Sequence, residues 1–311
     1  MSVSVPSFRP SVALLGADAG GSHSTVVIGA PDLTVLGRAE GPGAAVRPGG
    51  AAAAAAVLAE TGRRAAAQGG VELPVERAVV GAAGAGRAQE QAELEAALMA
   101  AGVARRVRVL ADGEVALATA FRGGPGIIVT AGTGSIAFAR DPGGTLHRAG
   151  GFGWQLGDEG GGYWVGRRAL TLAARAQDGR GEGSTLLARL LAALGLRQFD
   201  DLVRWTATAT PPQVAALAPH VLNAAREGEV VARETVAAAA DELVALVAAL
   251  VRHFPGSGAV PVALAGGLLL PHSPLTAALR ERLSASVRRA RLLPDRIDAA
   301  MGALRLAAEL Q

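Results

Sequence analysis

The fold is decided by residues 12–29, which read VALLGADAGGSHSTVVIG. A short apolar run ends at Asp18, a turn rich in glycine and serine follows, and a second run of β-branched residues comes back. This pattern predicts a strand, a tight turn and a returning strand. Residues 127–140, IIVTAGTGSIAFAR, repeat the same order. The sequence therefore predicts two related halves that each begin with a strand, a glycine-rich turn and a back-strand.

The rest of the chain alternates between β-branched runs and helical segments. Further strands are expected at residues 34–39, 78–81, 107–111 and 260–265, and helices at residues 50–67, 89–101, 163–177, 184–193, 212–226, 230–254 and 297–310. This alternation predicts an α/β layer fold. A chain of 311 residues normally divides into two domains, and we place them at residues 1–115 and 116–296. The closing helix within residues 297–311 is expected to pack back on the first domain.

The composition excludes several kinds of chemistry. The chain has no cysteine, which excludes disulfides, thiolate zinc sites and iron–sulfur clusters. All 30 of its basic residues are arginine, so the lysine of a Walker A loop, of a protein kinase or of a Schiff-base enzyme is missing. The formal net charge is only +3 and the arginines are scattered, so nucleic acid is not an expected partner.

No part of the sequence predicts a membrane segment. The richest apolar stretch, residues 236–251, is interrupted by Asp241 and Glu242. Residues 1–11 lack the charged start and long apolar core of a secretory signal. We therefore expect a cytoplasmic protein with no membrane partner.

The two glycine-rich turns offer backbone amides and hydroxyls at the ends of buried strands, the kind of groups that hold phosphates. An aspartate at such a position also suits Mg²⁺, usually through water. The candidate residues of these turns are Asp18, Gly20, Gly21, Ser22, Gly132, Thr133, Gly134 and Ser135. By itself, the first turn is better explained as an ordinary hairpin and the second is commonly a plain strand turn, and it is the pair that favours a phosphate site.

A third acid, Asp112, ends the apolar strand at residues 107–111 and precedes a helix expected to begin around Glu114. Two roles are open for it. It can cap the helix by accepting hydrogen bonds from amides of the first turn. It can also act as a general base that takes the proton of a hydroxyl during phosphoryl transfer.

Residues 150–160, GGFGWQLGDEG, form a segment too rich in glycine for a protein core. Such a loop allows close contact between its backbone and a polyhydroxyl ligand, and its aromatic rings can shield a site from water. For Trp154, Tyr163 and Trp164, plain packing remains an equally good interpretation.

Four motifs in order, DAGGS at residues 18–22, AGTGS at 131–135, GDEG at 157–160 and LAGG at 264–267, resemble the N-acetylglucosamine kinases and the BadF/BadG-type ATPases. They span nearly the whole chain. The resemblance implies a two-domain actin-like ATPase fold of the ribonuclease H-like type, with a duplicated βββαβαβα core and a cleft between the domains. It also implies ATP and Mg²⁺ as cofactors, an amino sugar as substrate, and a homodimer.

The resemblance further implies roles for the matching residues. Asp112 becomes the catalytic base that contacts the substrate hydroxyl, and Asp18 holds Mg²⁺ through water. Gly266 and Gly267 lie near adenosine. The sugar is contacted by residues that follow the second turn or belong to the glycine-rich loop: Ser135, Gly151, Phe152, Gly153 and Asp158.

One position departs from the family pattern. Sugar kinases of this family usually carry an asparagine in the loop after the third strand, and Ala44 stands there in this chain. This leaves the identity of the sugar open, and it motivates an alternative in which the chain senses a sugar without turnover. A second alternative, an ATPase that activates a dehydratase, normally needs cluster-binding cysteines, which this chain lacks.

Overall fold

The computed structural model describes residues 12–21, 23–181, 185–294 and 297–310. The strands are β1 (Leu14–Ala19), β2 (His23–Gly29), β3 (Val35–Pro42), β4 (Val75–Ala82), β5 (Ala104–Ala111), β6 (Gly126–Ala131), β7 (Ser135–Arg140), β8 (Leu146–Gly150), β9 (Val260–Ala265) and β10 (Ala290–Leu292). The helices are α1 (Ala51–Gln68), α2 (Ala88–Ala100), α3 (Asp112–Phe121), α4 (Gly162–Gln177), α5 (Leu186–Leu194), α6 (Phe199–Thr206), α7 (Pro211–Ala215), α8 (Ala218–Arg226), α9 (Val230–Val251), α10 (Pro274–Ser286) and α11 (Ala299–Glu309).

The chain divides into two compact units, each with a mixed sheet. One unit contains the residues up to Thr119 together with those from Asp298 onward, and the other runs from Ala120 to Ile297. Within the described ranges each unit holds one five-stranded sheet, in the order β3-β2-β1-β4-β5 for the first and β10-β9-β6-β7-β8 for the second. Both sheets contain an antiparallel hairpin next to parallel strands, which confirms the predicted α/β class and the duplication.

Helices cover both faces of the first sheet. Leu15 faces a core shared with Leu58 of α1 and Leu94 of α2, whereas Leu14 faces a second core shared with Leu304 of α11. Side chains alternate along a strand, so Gly16 lies on the same face as Leu14. A Cβ atom on Gly16 would collide with the backbone of α11, which shows how closely the last helix approaches β1.

The second unit is built on a larger apolar cluster. Its buried side chains come from the second sheet and from the surrounding helices, among them Ile127 of β6, Val165 of α4 and Leu243 of α9. β6 and β9 run parallel, with Thr130 opposite Ala265. Their C-terminal ends, and the turns that follow them, therefore lie side by side.

The predicted helix at residues 212–226 is wrong in one respect, because two helices stand there. α7 ends at Ala215 and α8 begins at Ala218, with Pro219 in its first turn. Proline lacks an N–H and suits the first turn of a helix better than its interior, which accounts for the break. Four further elements, α6, α10, β8 and β10, are not predicted from the sequence.

Across the described ranges, none of the helices has the length and apolar character needed to cross a membrane.

Candidate functional site

In the first unit, the C-terminal ends of three neighbouring strands bring two of the predicted acids to one edge of the sheet. Asp18 of β1 lies opposite Gly81 of β4, and Asp112 directly follows β5. A Cβ atom on Gly81 would lie 3.0 Å from the side chain of Val115 and 3.5 Å from the Cα atom of Asp112. Glycine between the two acids thus allows α3 to begin close against β4. In α/β sheets this edge is where ligands bind.

Asp112 is the first residue of α3, two positions earlier than the sequence suggested. Its Oδ1 accepts a hydrogen bond from the backbone N–H of Gly113 at 2.8 Å. Burial raises the pKa of Asp112, while the backbone amides of Gly113 and of Asp112 itself act in the opposite direction. A carboxylate with a raised pKa, held at the positive end of a helix, suits proton abstraction from a hydroxyl.

Asp18 lies among other acids. Burial is the main cause that raises its pKa to about 6, and the negative charge of Asp112 adds to it. His23 lowers the pKa of Asp18, and Asp298 raises it. Two other carboxyl groups of the first unit therefore act on Asp18, and a cation placed near Asp18 would offset their negative charge.

Asp298 is not among the site residues predicted from the sequence. This residue caps α11, where its Oδ1 accepts a hydrogen bond from the backbone N–H of Met301 at 3.1 Å. Its Oδ2 pairs with Nη1 of Arg38 on β3 at 2.6 Å. An aspartate just before a helix is a recognisable capping signal, but nothing in the sequence indicates that its charge acts on Asp18.

The donor set at this edge fits Mg²⁺ held through water. Hard carboxylate oxygens are what this ion prefers, and it commonly keeps several waters and one or two protein ligands. The described residues contain no group of three or more histidine, aspartate or glutamate side chains that could hold a metal directly. Asp18, whose pKa burial and neighbouring charge raise to about 6, stays the predicted residue for this ion.

The first glycine-rich turn is closed by its own backbone. The N–H of Gly20 donates to the carbonyl of His23 at 3.0 Å, and Gly21 is exposed. Ser22, also predicted for this turn, lies outside the described residues. The N–H of Ala44 donates to the carbonyl of Gly20 at 3.0 Å, and its side chain is buried in the core. Ala44 thus anchors the loop after β3 to this turn through its backbone.

The second turn connects β6 to β7 and also supports α4. The N–H of Gly132 donates to the carbonyl of Gly134 at 2.9 Å, which closes the turn. The carbonyls of Gly132 and Thr133 accept from the first amides of α4, at Gly162 and Tyr163. The position of α4 is therefore set by the predicted phosphate turn.

The residues predicted to lie near adenosine, Gly266 and Gly267, follow β9 and lie close to the end of β6, where the second turn begins. The N–H of Leu268 donates to the carbonyl of Ala131 at 3.1 Å. Gly266 has a φ of +91°, and a Cβ atom on it would collide with the backbone of Ala131. The positive φ and the close approach to Ala131 thus both require glycine at position 266. At Gly267 no atom lies within 4 Å of the place that a Cβ atom would take. Within the second unit, the Gly132–Gly134 turn and the Gly266–Gly267 turn are brought together.

The glycine-rich loop, residues 150–160, projects an aromatic side chain into solvent. Phe152 is 62% exposed, and the guanidinium of Arg148 lies 4.8 Å from its ring centroid. Gly151 and Gly153 on either side have positive φ angles of 70° and 91°. The rings of Trp154 and Tyr163 pack 5.1 Å apart. The loop thus presents an apolar ring between two backbone positions that favour glycine.

Asp158 links this loop to the second turn. Its backbone has a φ of +63°, unusual for a residue other than glycine. Burial raises the pKa of its carboxyl, and hydrogen bonds from the backbone amides of Gly153 and Ser135 lower it. The hydroxyl of buried Ser135 donates to the carbonyl of Glu159 at 2.6 Å. The side chains of Ser135 and Asp158, which are both predicted to bind the sugar, therefore also hold the loop in place.

Comparisons with known proteins show which family and which solved structures the chain is similar to. Residues 15–307 match the BadF/BadG/BcrA/BcrD ATPase family. The chain is 32% identical, over 73% of its length and 76% of the relative's, to an N-acetylmuramic acid/N-acetylglucosamine kinase of Clostridium acetobutylicum. A solved structure from Chromobacterium violaceum, assigned as an N-acetylglucosamine kinase, has a TM-score of 0.80 and 34% identity, covering 97% of this chain and 100% of that one. A Porphyromonas gingivalis structure with the same assignment shares the fold at 18% identity and a TM-score of 0.68, covering 96% and 99% of the two chains.

Proposed function

Because the chain belongs to the BadF/BadG/BcrA/BcrD ATPase family, we propose that it transfers the γ-phosphate of ATP to a hydroxyl of an amino sugar such as N-acetylglucosamine. The two relatives with at least 32% identity support a sugar kinase over other activities of the family. The observation that carries the proposal is the position of Asp112, at the ligand-binding edge of the first sheet and at the start of α3.

Asp112 acts as the general base in this proposal. Its carboxylate takes the proton of the sugar hydroxyl while that oxygen bonds to the γ-phosphorus and the bond from phosphorus to the ADP oxygen breaks. Burial raises the pKa of Asp112, which makes its carboxylate a stronger base than that of an exposed aspartate, and the backbone amides at the start of α3 favour the ionised form. ADP and the sugar phosphate leave.

We assign the phosphates of ATP to the two glycine-rich turns. Their backbone amides approach phosphate oxygens closely and stabilise the charge of the transferred group. The residues proposed for ATP are Asp18, Gly20, Gly21, Ser22, Gly132, Thr133, Gly134, Gly266 and Gly267. Asp18 is proposed to hold Mg²⁺ through water, and the bound ion neutralises negative charge on the phosphates.

The sugar is assigned to the second turn and the glycine-rich loop. Ser135, Gly151, Phe152, Gly153 and Asp158 are the proposed contacts, with Phe152 as an apolar surface and the backbone as hydrogen-bonding partner. We propose cytoplasmic action, because ATP is the phosphate donor. A homodimer is proposed from the family resemblance and is tested by light scattering on the purified chain.

The kinase proposal is tested by ADP release with N-acetylglucosamine, glucosamine and N-acetylmuramic acid, together with mass spectrometry of the sugar product. Sugar-dependent ADP release and a product heavier by one phosphoryl group are expected. ADP release without any sugar would instead favour an ATPase coupled to another partner. Sugar binding without ADP release would favour a sensor, the alternative that Ala44 motivates.

A further inference from the structure

The ring of Phe152 projects from a backbone that is fixed on both sides. Gly151 has a φ of +70°, and a Cβ atom on it would collide with the side chain of Ile136. On the other side, the N–H of Gly153 donates a hydrogen bond to the carboxyl group of Asp158. The ring itself is 62% exposed, so its orientation is not set by burial in the core.

Arg148 on β8 reaches this ring from the open face of the strand. Its neighbour His147 points the other way, where its ring stacks on that of His253 with a centroid distance of 3.8 Å. Because side chains alternate along a strand, Arg148 projects from the opposite face, next to Phe138 of β7. The guanidinium of Arg148 lies 4.8 Å from the ring centroid of Phe152, which is within the range of a cation–π contact.

No competing partner holds the guanidinium of Arg148. Among the residues that the structure describes, no acidic side chain forms an ion pair with it. The next ring of the loop, Trp154, is held by α4 instead, since it packs against Tyr163 and lines a cavity together with Arg167. The two exposed rings of the loop are therefore held by different parts of the second unit, and Phe152 depends on Arg148.

This contact matters for a ligand because the guanidinium covers one face of the ring. The other face stays available to apolar C–H groups of a ligand, and aromatic surface of this kind is common in small-molecule sites. An exposed phenylalanine without such a contact exchanges between χ1 rotamers, and binding then has to select one of them. Holding a group in its bound orientation in advance improves affinity.

We infer that Arg148 is a positioning residue, whose guanidinium holds the ring of Phe152 in the orientation that packs on the sugar. This role rests on the proposed kinase function, in which Phe152 contacts the sugar, and adds to it a residue outside the predicted set. Arg148 touches neither Asp112 nor the phosphate turns in this proposal. Its loss should therefore change the KM for the sugar and leave the turnover number unchanged.

The first test is Arg148→Met, which keeps an apolar side chain and removes the charge. The KM for N-acetylglucosamine should rise about two- to fivefold, because an exposed cation–π contact contributes modestly. Arg148→Lys keeps the charge without the planar group and should lie between Arg148→Met and the wild type. Arg168→Met is the matched control. It removes a guanidinium 5.4 Å from the ring centroid of Trp164 in α4, and both constants should stay at their wild-type values.

The second test repeats Arg148→Met in a chain that also carries Phe152→Leu. If Arg148 acts through the ring, its substitution should have no further effect on the KM in that chain. An equal rise in KM with and without Phe152→Leu would overturn the inference, because Arg148 would then act by another route. An unchanged KM in Arg148→Met alone would overturn it as well.

The proposed function can fail separately from this role. If no amino sugar is phosphorylated, calorimetry with N-acetylglucosamine measures the Kd in the wild type, the two single variants and the double variant. Binding that weakens in Arg148→Met, but not when Phe152→Leu is already present, supports the positioning role. Absent binding, or binding that Arg148→Met leaves unchanged, contradicts it.

Discussion

Nη1 of Arg38 lies 2.6 Å from Oδ2 of Asp298, which joins β3 to the first turn of α11 across 260 positions of the chain. Asp298 also raises the pKa of Asp18, the residue proposed to hold Mg²⁺. Both partners of the ion pair are about two-fifths exposed, so the pair contributes little to stability. The ion pair matters for the electrostatics of the site, because Arg38 offsets the negative charge of Asp298 that raises the pKa of Asp18.

Substitutions of Arg38 and of Asp298 should therefore shift the pKa of Asp18 in opposite directions. Arg38→Met leaves the charge of Asp298 unopposed and should raise the pKa of Asp18 above about 6, whereas Asp298→Asn should lower it. Carboxyl-carbon NMR titration measures both shifts. Arg63→Met breaks an exposed pair within α1 and should leave Asp18 unchanged. Shifts of the same sign in Arg38→Met and Asp298→Asn would contradict this account.

Asp112→Asn should lower the turnover number by about 10² to 10⁴, since the amide cannot take the hydroxyl proton. ATP affinity should change little, because the phosphate turns are untouched. Steady-state kinetics and nucleotide titration measure the two quantities. Asp32→Asn alters an exposed acid in the β2–β3 turn and serves as the control, with turnover expected at the wild-type level. Turnover retained in Asp112→Asn would remove the base from the mechanism.

The raised pKa of Asp18 makes stability depend on pH. The folded chain binds this proton more tightly, because the pKa rises from 3.8 to about 6. The stabilisation is therefore fully present below about pH 4 and is lost as the pH rises through 6. Relative to Asp18→Asn, the wild type should lose up to about 3 kcal/mol in free energy of unfolding between pH 4 and pH 7. Urea denaturation across this range measures it, and a difference that stays flat with pH would refute it.

Protonation of Asp18 stabilises the fold at low pH, whereas Mg²⁺ should stabilise it by binding the ionised carboxylate of Asp18. At pH 7 the ion, added with ADP, favours the ionised carboxylate of Asp18, so it should raise the melting temperature of the wild type more than that of Asp18→Asn. Thermal unfolding with and without EDTA makes the comparison. Equal stabilisation of both chains would place the ion at other ligands.

Gly16→Ala should destabilise the first unit by about 3 kcal/mol, because a Cβ atom there collides with the backbone of Ala300 and Leu304 in α11. Gly62→Ala is the matched control. Its Cβ would lie 3.6 Å from Leu15, an ordinary contact, and alanine favours a helix interior by about 1 kcal/mol. Denaturant unfolding of the two variants should therefore show changes of opposite sign, and a neutral Gly16→Ala would argue against the close packing of α11.

Much of the fold could be predicted because its signals are local. The strands that carry Asp18 and Thr130 are apolar runs followed by glycine-rich turns, and the sequence predicts both with errors of only a few residues. The short helix α6 and the break before α8 were missed, since helices of 8 and 9 residues contain too few turns for a periodic pattern to be recognised. The roles proposed for the site residues stay predictions that the experiments above test.

By itself, the sequence determined the duplicated strand and turn pattern, the strand-end positions of Asp18 and Asp112, and the absence of lysine and cysteine chemistry. Those properties depend on residue type and short-range spacing. Only the tertiary structure decided that the charge of Asp298 acts on Asp18, that Asp158 binds the amide of Ser135, and that Arg167 lines a cavity. Charge interactions and cavities depend on distances between elements far apart in the chain, and packing alone sets those distances.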